Sequence, residues 1–306
     1  MDNITTISFN ALGTMNQIDA YGCPESLLQA AADRVKEIHC RMSAFLPDSD
    51  IGLLNANAGI KPVRVHEDTI KLLQIALDVS RHSKGAFDVT LRPLIELWRI
   101  GEMTDLPSQA EITSALAPAA YRSLRVHRKK QTAYINKPSQ GVDLGGIAKG
   151  YAADEAKNIL ISGGVRNALI NFGGNVIAIG ENEKEPWKIG LQDPLSVRGD
   201  SFASLTIRNS SVVTSGCNER FFIKDSVRYH HIIDPRTGYP ARSGLLSVTV
   251  VCEKSVIADA LSTAVFVLGI EIGMKLLRKY NAQAVFVLET GELYVTEKLK
   301  ADYRQI

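Results

Sequence analysis

At 306 residues the chain is long enough for one large domain or two of ordinary size, with a substantial buried core. Hydrophobic residues make up 45% and charged residues 22%, the profile of a soluble globular protein. Its 35 basic and 33 acidic side chains leave a formal charge of +2, which gives no global field for gripping nucleic acid, so any attraction for phosphate must be local.

Residues 4–21 alternate loosely and read as a strand, with Ala11-Leu-Gly-Thr14 allowing a close backbone approach. Pro24 opens a helix at its favoured first position, and Leu27, Leu28, Ala31, Val35, Ile38 and Met42 give it an apolar stripe. His39, near its end, reads as a partly buried surface histidine. The run from Ser43 to Ile51 is rich in turn formers and reads as a loop extending to Asn55. A second helix spans about Asp68 to Ser83 and stops at Gly85. Ala86, Phe87 and Asp88 follow, leading into Val89–Pro93.

Ser108 and Glu111 form a capping box for a short helix ending before Pro118. Leu124–Val126 and Ala133–Ile135 flank a basic turn and read as a hairpin. Its tip (Arg128, Lys129, Lys130) lacks the interleaved aromatics that nucleic-acid stacking needs. A helical pattern starts at Ile147 and ends at Gly163-Gly164. Asn167–Gly180 is a pair of apolar strands around a Gly-Gly bend, and residues 187–252 continue as short β segments whose turns suggest antiparallel pairing. Helices over Ser255 to about Leu268 and Ile270 to Tyr280, then two strands, close the chain. Strands and helices do not alternate regularly, so the fold class is α+β with largely antiparallel sheets. The expected organisation is a single unit over 1–306, with a subdomain boundary near residue 120.

The cysteines (Cys23, Cys40, Cys217, Cys252) are widely spaced, which argues against a zinc site or a disulfide framework. The first residues show no basic or apolar export signal, and no run of about 18 apolar residues is present to span a membrane. The expected location is cytoplasmic.

The stretch Asp143-Leu-Gly-Gly-Ile-Ala-Lys-Gly150 carries the chemistry. Gly145 and Gly146 let backbone approach a ligand, free N–H groups at the helix start attract anions, and Lys149 adds a full positive charge. The spacing is not that of a P-loop. A tight strand-to-helix turn with a solvated lysine is the plain alternative. Asp259 and Thr263, four apart on a predicted helix, put two oxygens on one face about one turn apart. With backbone carbonyls they make a hard oxygen site suited to Mg²⁺, the alternative being a helix-end Asp and a back-bonding Thr. Asp234-Pro-Arg-Thr-Gly238 is a turn by composition, and His231 lies on the strand entering it, where it can accept a proton from an attacking hydroxyl. Alternation along that strand means His230 and His231 cannot both point at one site. Together these parts suit phosphoryl chemistry on a diphosphate.

Eight motifs in one order resemble the ApbE-type FAD:protein FMN transferase family over nearly the whole chain. They are Ala11–Thr14, Ser43–Asn55, Gly85–Asp88, Asp143–Gly150, Asn171–Gly174, Thr214–Gly216, His231–Gly238 and Asp259–Thr263. The resemblance implies an FMN transferase-like fold. It also implies that FAD is bound as substrate with Mg²⁺, split at its pyrophosphate, and its FMN joined to a Thr or Ser of an acceptor flavoprotein as AMP leaves. By position, Gly146 (through its carbonyl), Asp259 and Thr263 would hold the metal, and Asp143 and Lys149 would contact FAD. Ala86, Phe87 and Asp88 would lie near the adenine, Ile233 would line the pocket, Leu12 and Phe45 would touch the flavin or ribityl chain, and His231 would be the base. The chain departs from the family pattern at Leu12 (usually Met), Phe45 (usually Tyr), Cys217-Asn218 (usually acidic-aromatic) and Asn175 (frequently Asp). The exported lipoprotein start common in the family is also missing.

Overall fold

The computed structural model describes residues 3–196 and 199–306; Met1 and Asp2 of the N-terminal stretch read above lie outside them. Strands β1 (Ile4–Ala11) and β2 (Thr14–Tyr21) are followed by helices α1 (Glu25–Met42) and α2 (Asp50–Ala56). The short β3 (Val63–Arg64) leads to α3 (Glu67–His82), α4 (Arg92–Trp98) and α5 (Gln109–Leu116). Next come β4 (Leu124–His127), β5 (Thr132–Ile135) and α6 (Ala148–Ser162). Five strands follow: β6 (Ala168–Phe172), β7 (Asn175–Ile179), β8 (Trp187–Gln192), β9 (Ser201–Ile207) and β10 (Ser210–Gly216). After β11 (Phe221–Lys224), β12 (Val227–His230) and β13 (Leu245–Cys252), the long α7 (Ser255–Lys279) precedes β14 (Gln283–Leu288), β15 (Leu293–Val295) and β16 (Tyr303–Gln305).

The backbone of the molecule is an eight-stranded sheet in the order β1-β2-β6-β7-β10-β13-β14-β15, with every neighbouring pair antiparallel. Both its faces are covered, which explains why all of β7 is buried. Ile177 and Ile179 enter the main core with α1, α6 and α7, while Val176 and Ala178 meet the small sheet β16-β9-β8 on the other side. A third cluster gathers Leu91, Leu94, Trp98, Ile112, Phe222 and Ile233 around the turn after β12. The α+β class and antiparallel pairing are those expected.

Several local expectations change. Residues 4–21 form two strands, because Leu12 (φ 56°) and Gly13 (φ 73°) make a two-residue hairpin turn. The presumed loop up to Asn55 contains α2: Ser49 Oγ accepts the Gly52 N–H at 2.8 Å, and Ile51 and Leu54 bury one face. Seven residues are too few to show a helical period. Helix α1 begins at Glu25, with Pro24 extended at its N-cap. Helix α4, with Pro93 in its first turn, was not anticipated, and a third C-terminal strand, β16, pairs with β9.

Helix α7 is broken where expected, at Gly269 (φ 73°, ψ 179°), a conformation open to glycine. Contrary to the sequence expectation, its mean hydropathy of 1.8 over 18 residues passes for a membrane span by length and composition. Here it is the central core helix, with 67% of that window buried and an aspartate on its packed face.

Candidate active site

The approach to α6 is pinned before the helix begins. Asn55 grips Val142 twice, donating from Nδ2 to its carbonyl (2.9 Å) and accepting its N–H at Oδ1 (2.6 Å). The Asp143 N–H donates to the Val89 carbonyl (2.8 Å), and Asp143 Oδ1 accepts the Gly145 N–H (2.7 Å), closing an Asx turn. That turn sets Gly145 and Gly146 at the head of α6, and Lys149 reaches back to the Gly145 carbonyl at 3.4 Å.

Helices α6 and α7 meet at Gly150. A Cβ there would lie 2.4 Å from the Ser255 carbonyl oxygen and 2.8 Å from Asp259 Cβ, so only glycine permits the approach. Its N–H donates to Asp259 Oδ2 at 2.8 Å. One turn earlier, a Cβ on Gly146 would sit 3.4 Å from the Phe87 ring and 3.5 Å from Thr263 Oγ1, which places Phe87, Gly146 and Thr263 together. Asp259 is only 4% exposed. Burial pushes its carboxyl pKa up, and the Lys149 charge and the Gly150 hydrogen bond pull it back. Lys149 and the Asp259/Thr263 face, more than a hundred residues apart, therefore share one locality.

The donors that Gly146, Asp259 and Thr263 offer are all oxygens, one of them a carboxylate. Among the described residues no group of three or more His, Cys, Asp or Glu forms a metal cage. A buried carboxylate, a hydroxyl and a nearby glycine carbonyl fit Mg²⁺, which takes few protein ligands and fills its shell with phosphate oxygens and water.

The two histidines diverge as strand alternation requires. His230 is buried, its Nε2 2.9 Å from the Ala241 carbonyl and its ring edge-on to Phe266 at 5.3 Å. Burial depresses its pKa to about 4, partly offset by the Ala241 contact. His231 is half-buried. Its N–H donates to the Arg220 carbonyl (3.1 Å), and Nδ1 lies 3.4 Å from the same oxygen. Burial, then the charge of Arg220, with smaller contributions from His230 and Lys149, depresses its pKa to about 3. The Lys149 charge thus acts on both Asp259 and His231. The turn beyond is rigid: Asp234 takes a bidentate pair from Arg236 (2.9 and 2.7 Å), and the Gly238 carbonyl accepts Trp98 Nε1–H at 2.8 Å.

Residues 5–286 match the ApbE family. The chain belongs to that family. A Klebsiella pneumoniae protein named FAD:protein FMN transferase is 35% identical over 287 residues, covering 93% of this chain and 89% of its own length. A Treponema pallidum protein of the same name is 34% identical over 297 residues, with 90% and 82% covered. The crystal structure of the ApbE protein from Thermotoga maritima superposes with a TM-score of 0.89 at 35% identity, covering 99% of this chain and all of that one. The flavin transferase ApbE from Vibrio cholerae gives 0.89 at 27% identity over 99% and 100%.

The remaining residues singled out from the ApbE resemblance take varied positions. Ala86 and Phe87 are buried, the Phe87 N–H held by Ser83 Oγ at 3.1 Å. Both oxygens of Asp88 are engaged within the protein: Oδ1 by the Thr90 N–H (2.8 Å) and Oγ (2.6 Å), Oδ2 by the Tyr121 N–H (2.8 Å). Ile233 is buried in the third cluster. Leu12 sits in the first hairpin turn beside a hollow of about 500 Å³ lined by Gly13, Thr14, Met15 and His39. Phe45 is 78% exposed, with the Arg92 guanidinium 5.6 Å from its ring centre. Two contributors are not singled out by the sequence: Asn55 and Gly150. Both lie inside quoted motifs, but their bonding partners are too distant in sequence for local spacing to show.

Proposed function

We propose that this protein is an FAD:protein FMN transferase, moving FMN from FAD to a Thr or Ser hydroxyl of an acceptor flavoprotein. The observation that carries this reading is that the turn bearing Lys149 meets the Asp259/Thr263 face: the Gly150 N–H donates to the buried Asp259 carboxylate at 2.8 Å, and Gly146 lies beside Thr263 Oγ1. An anion-binding helix start and a metal-type carboxylate thereby share one locality, and the Lys149 charge is felt at His231 as well.

The acceptor hydroxyl oxygen attacks the phosphorus of the FMN half. A new P–O ester bond forms, the P–O bond to the AMP half breaks, and AMP leaves with the bridging oxygen. His231 takes the hydroxyl proton. Its Nδ1 faces the Arg220 carbonyl, so Nδ1 carries the hydrogen and Nε2 the free lone pair. Lys149 and the positive end of α6 hold the diphosphate. Asp259, Thr263 and the Gly146 carbonyl would hold Mg²⁺, which when bound neutralises charge on the phosphate oxygens. Phe87 shapes the wall beside Gly146, and Asp88 braces the loop that carries Ala86 and Phe87. Asp143 fixes the diphosphate turn, Ile233 backs the pocket, and Leu12 and Phe45 face the flavin.

The test is incubation with FAD, Mg²⁺ and a candidate acceptor, read by mass spectrometry. Transfer adds one FMN to the acceptor. Free FMN and AMP alone would instead make this a hydrolase, and recovery of intact FAD a non-catalytic carrier.

A further inference from the structure

Helix α7 has an incomplete N-terminus of its own. Lys254, at the N-cap, offers no side-chain acceptor to the first turn. The Ser255 and Val256 N–H groups instead donate to the two oxygens of Asp154, at 3.0 and 2.9 Å, and Asp154 belongs to α6. One turn away the exchange runs the other way, when Asp259 of α7 accepts the Gly150 N–H of α6 at 2.8 Å. The Ser255 side chain is held as well, donating to Asn175 Oδ1 at 2.5 Å while accepting from Ser211 Oγ at 2.9 Å.

We propose that Asp154 is a positioning residue for the metal-binding face, capping α7 from α6 and thereby holding Asp259 and Thr263 opposite Lys149. Two physical effects follow. The reciprocal bonds fix the rotation of α7 against α6, and a quarter-turn error would carry Asp259 off Lys149. The carboxylate also neutralises the positive end of the α7 dipole, equivalent to roughly half a charge. Asp259 lies four residues on, about 6 Å along the helix axis. Without Asp154, that positive end disfavours a cation at Asp259. Asp154 touches neither FAD nor the metal and acts only through α7.

This inference rests on the transferase reading, so the wild-type protein is measured first. Wild type that takes up no Mg²⁺ with FAD ends that reading. In wild type that does, Asp154→Asn weakens calorimetric Mg²⁺ binding to the FAD-loaded protein about tenfold, as loss of a charge at a helix end would. FAD affinity measured without metal stays within about twofold, because the α6 turn and Lys149 are retained. Asp154→Glu recovers part of the metal affinity. Unchanged Mg²⁺ affinity in Asp154→Asn, or equal weakening of Mg²⁺ and FAD, overturns the proposal. Should Asp154→Asn not fold, Asp154→Ser carries the same comparison, since a serine hydroxyl can still cap but brings no charge.

Discussion

The joint between α6 and α7 and the rim formed by the Leu12 turn and the Phe45 loop are built on opposite principles. At the joint the anchoring polar groups are paired: Gly150 to Asp259, Asp154 to the α7 backbone, Asp143 to Gly145. A Cβ added at Gly150 would fall 2.4 Å from the Ser255 carbonyl oxygen, so the helices have no slack for one. At the rim, Phe45 is 78% and Met15 59% exposed, while Leu12 is partly buried against the main core and gives its N–H to His39 Nδ1 at 3.3 Å. The difference matches what each region has to recognise. A diphosphate and a small cation need oxygens and positive charge at fixed positions before they arrive. A flat apolar ring needs only surface to cover, and can complete the burial itself.

If the joint is the preformed half, the largest loss comes from its centre. Asp259→Ala removes the buried carboxylate on the α7 face that carries Thr263. Transfer should fall by about a thousandfold or more, as when a principal transition-state charge partner is lost. Calorimetry with Mg²⁺ should show no uptake by the variant. Undiminished turnover without added Mg²⁺ would remove the metal role and leave the joint as packing only.

His231 lies one residue past the end of β12, half-buried, rather than within the strand. His231→Ala should lower the transfer rate by about a hundredfold to ten-thousandfold, the range for general-base loss. FAD binding should survive, because the ring's hydrogen-bond contact is to the Arg220 carbonyl and not to Lys149 or the α6 turn. The pH profile sharpens the point. A base works only while unprotonated, so its acid limb falls where its own pKa lies. Burial and the charges around it hold His231 at about 3 in the free enzyme. kcat/KM should therefore show no loss from His231 between pH 8 and pH 5, whereas an unperturbed imidazole would halve it near 6.5. An acid limb near 6.5 that disappears in His231→Ala would show that the ring is less shielded than its surroundings suggest.

Gly150→Ala tests the closeness of the joint directly. The added methyl meets the Ser255 carbonyl and Asp259 Cβ, neither a flexible chain end, so the helices must part. Overpacking of this kind costs about 1–3 kcal/mol of stability. Transfer should drop by about tenfold as Lys149 and Asp259 separate, since small misplacements of charged groups weaken preorganised sites steeply. Equal melting temperatures for variant and wild type would mean that the helices slide freely.

The same contrast explains what could be read from the sequence. The α+β class, the α5 capping box, the β4–β5 hairpin and the break in α7 were legible because their causes are local: a box of four residues, a period of two, a glycine. The grouping of Lys149 with Asp259 and Thr263 followed from residue chemistry and motif order. What was not legible is carried by contacts between distant segments. Asp154 reads as one more polar residue on α6 until Ser255 arrives from a hundred residues away. The resemblance places Asp88 near the adenine, and its carboxylate accepts from Thr90 and Tyr121, the second a partner no local pattern reveals. Helix α2 escaped because seven residues with one cap carry too little periodicity, and the first hairpin because Leu12 takes a left-handed turn position that its side chain does not advertise.

The smallest expected effect lies on the rim. Phe45→Ala removes a ring that little of the protein covers, so stability should stay within about 0.5 kcal/mol of wild type, as for exposed positions free of special contacts. The Arg92 guanidinium loses a stacking partner but keeps its ion pair with Glu96 at 2.7 Å and its hydrogen bond to the Ala44 carbonyl. If the rim is finished by the flavin, FAD affinity should nonetheless fall by about three- to tenfold, the worth of one aromatic contact. ADP, which has the diphosphate and adenosine but no flavin, should bind both forms alike. Equal FAD affinity in Phe45→Ala and wild type would mean the flavin lies elsewhere. A melting temperature that drops with Phe45 would mean instead that the rim is structurally committed, and that the two regions differ less than their exposures imply.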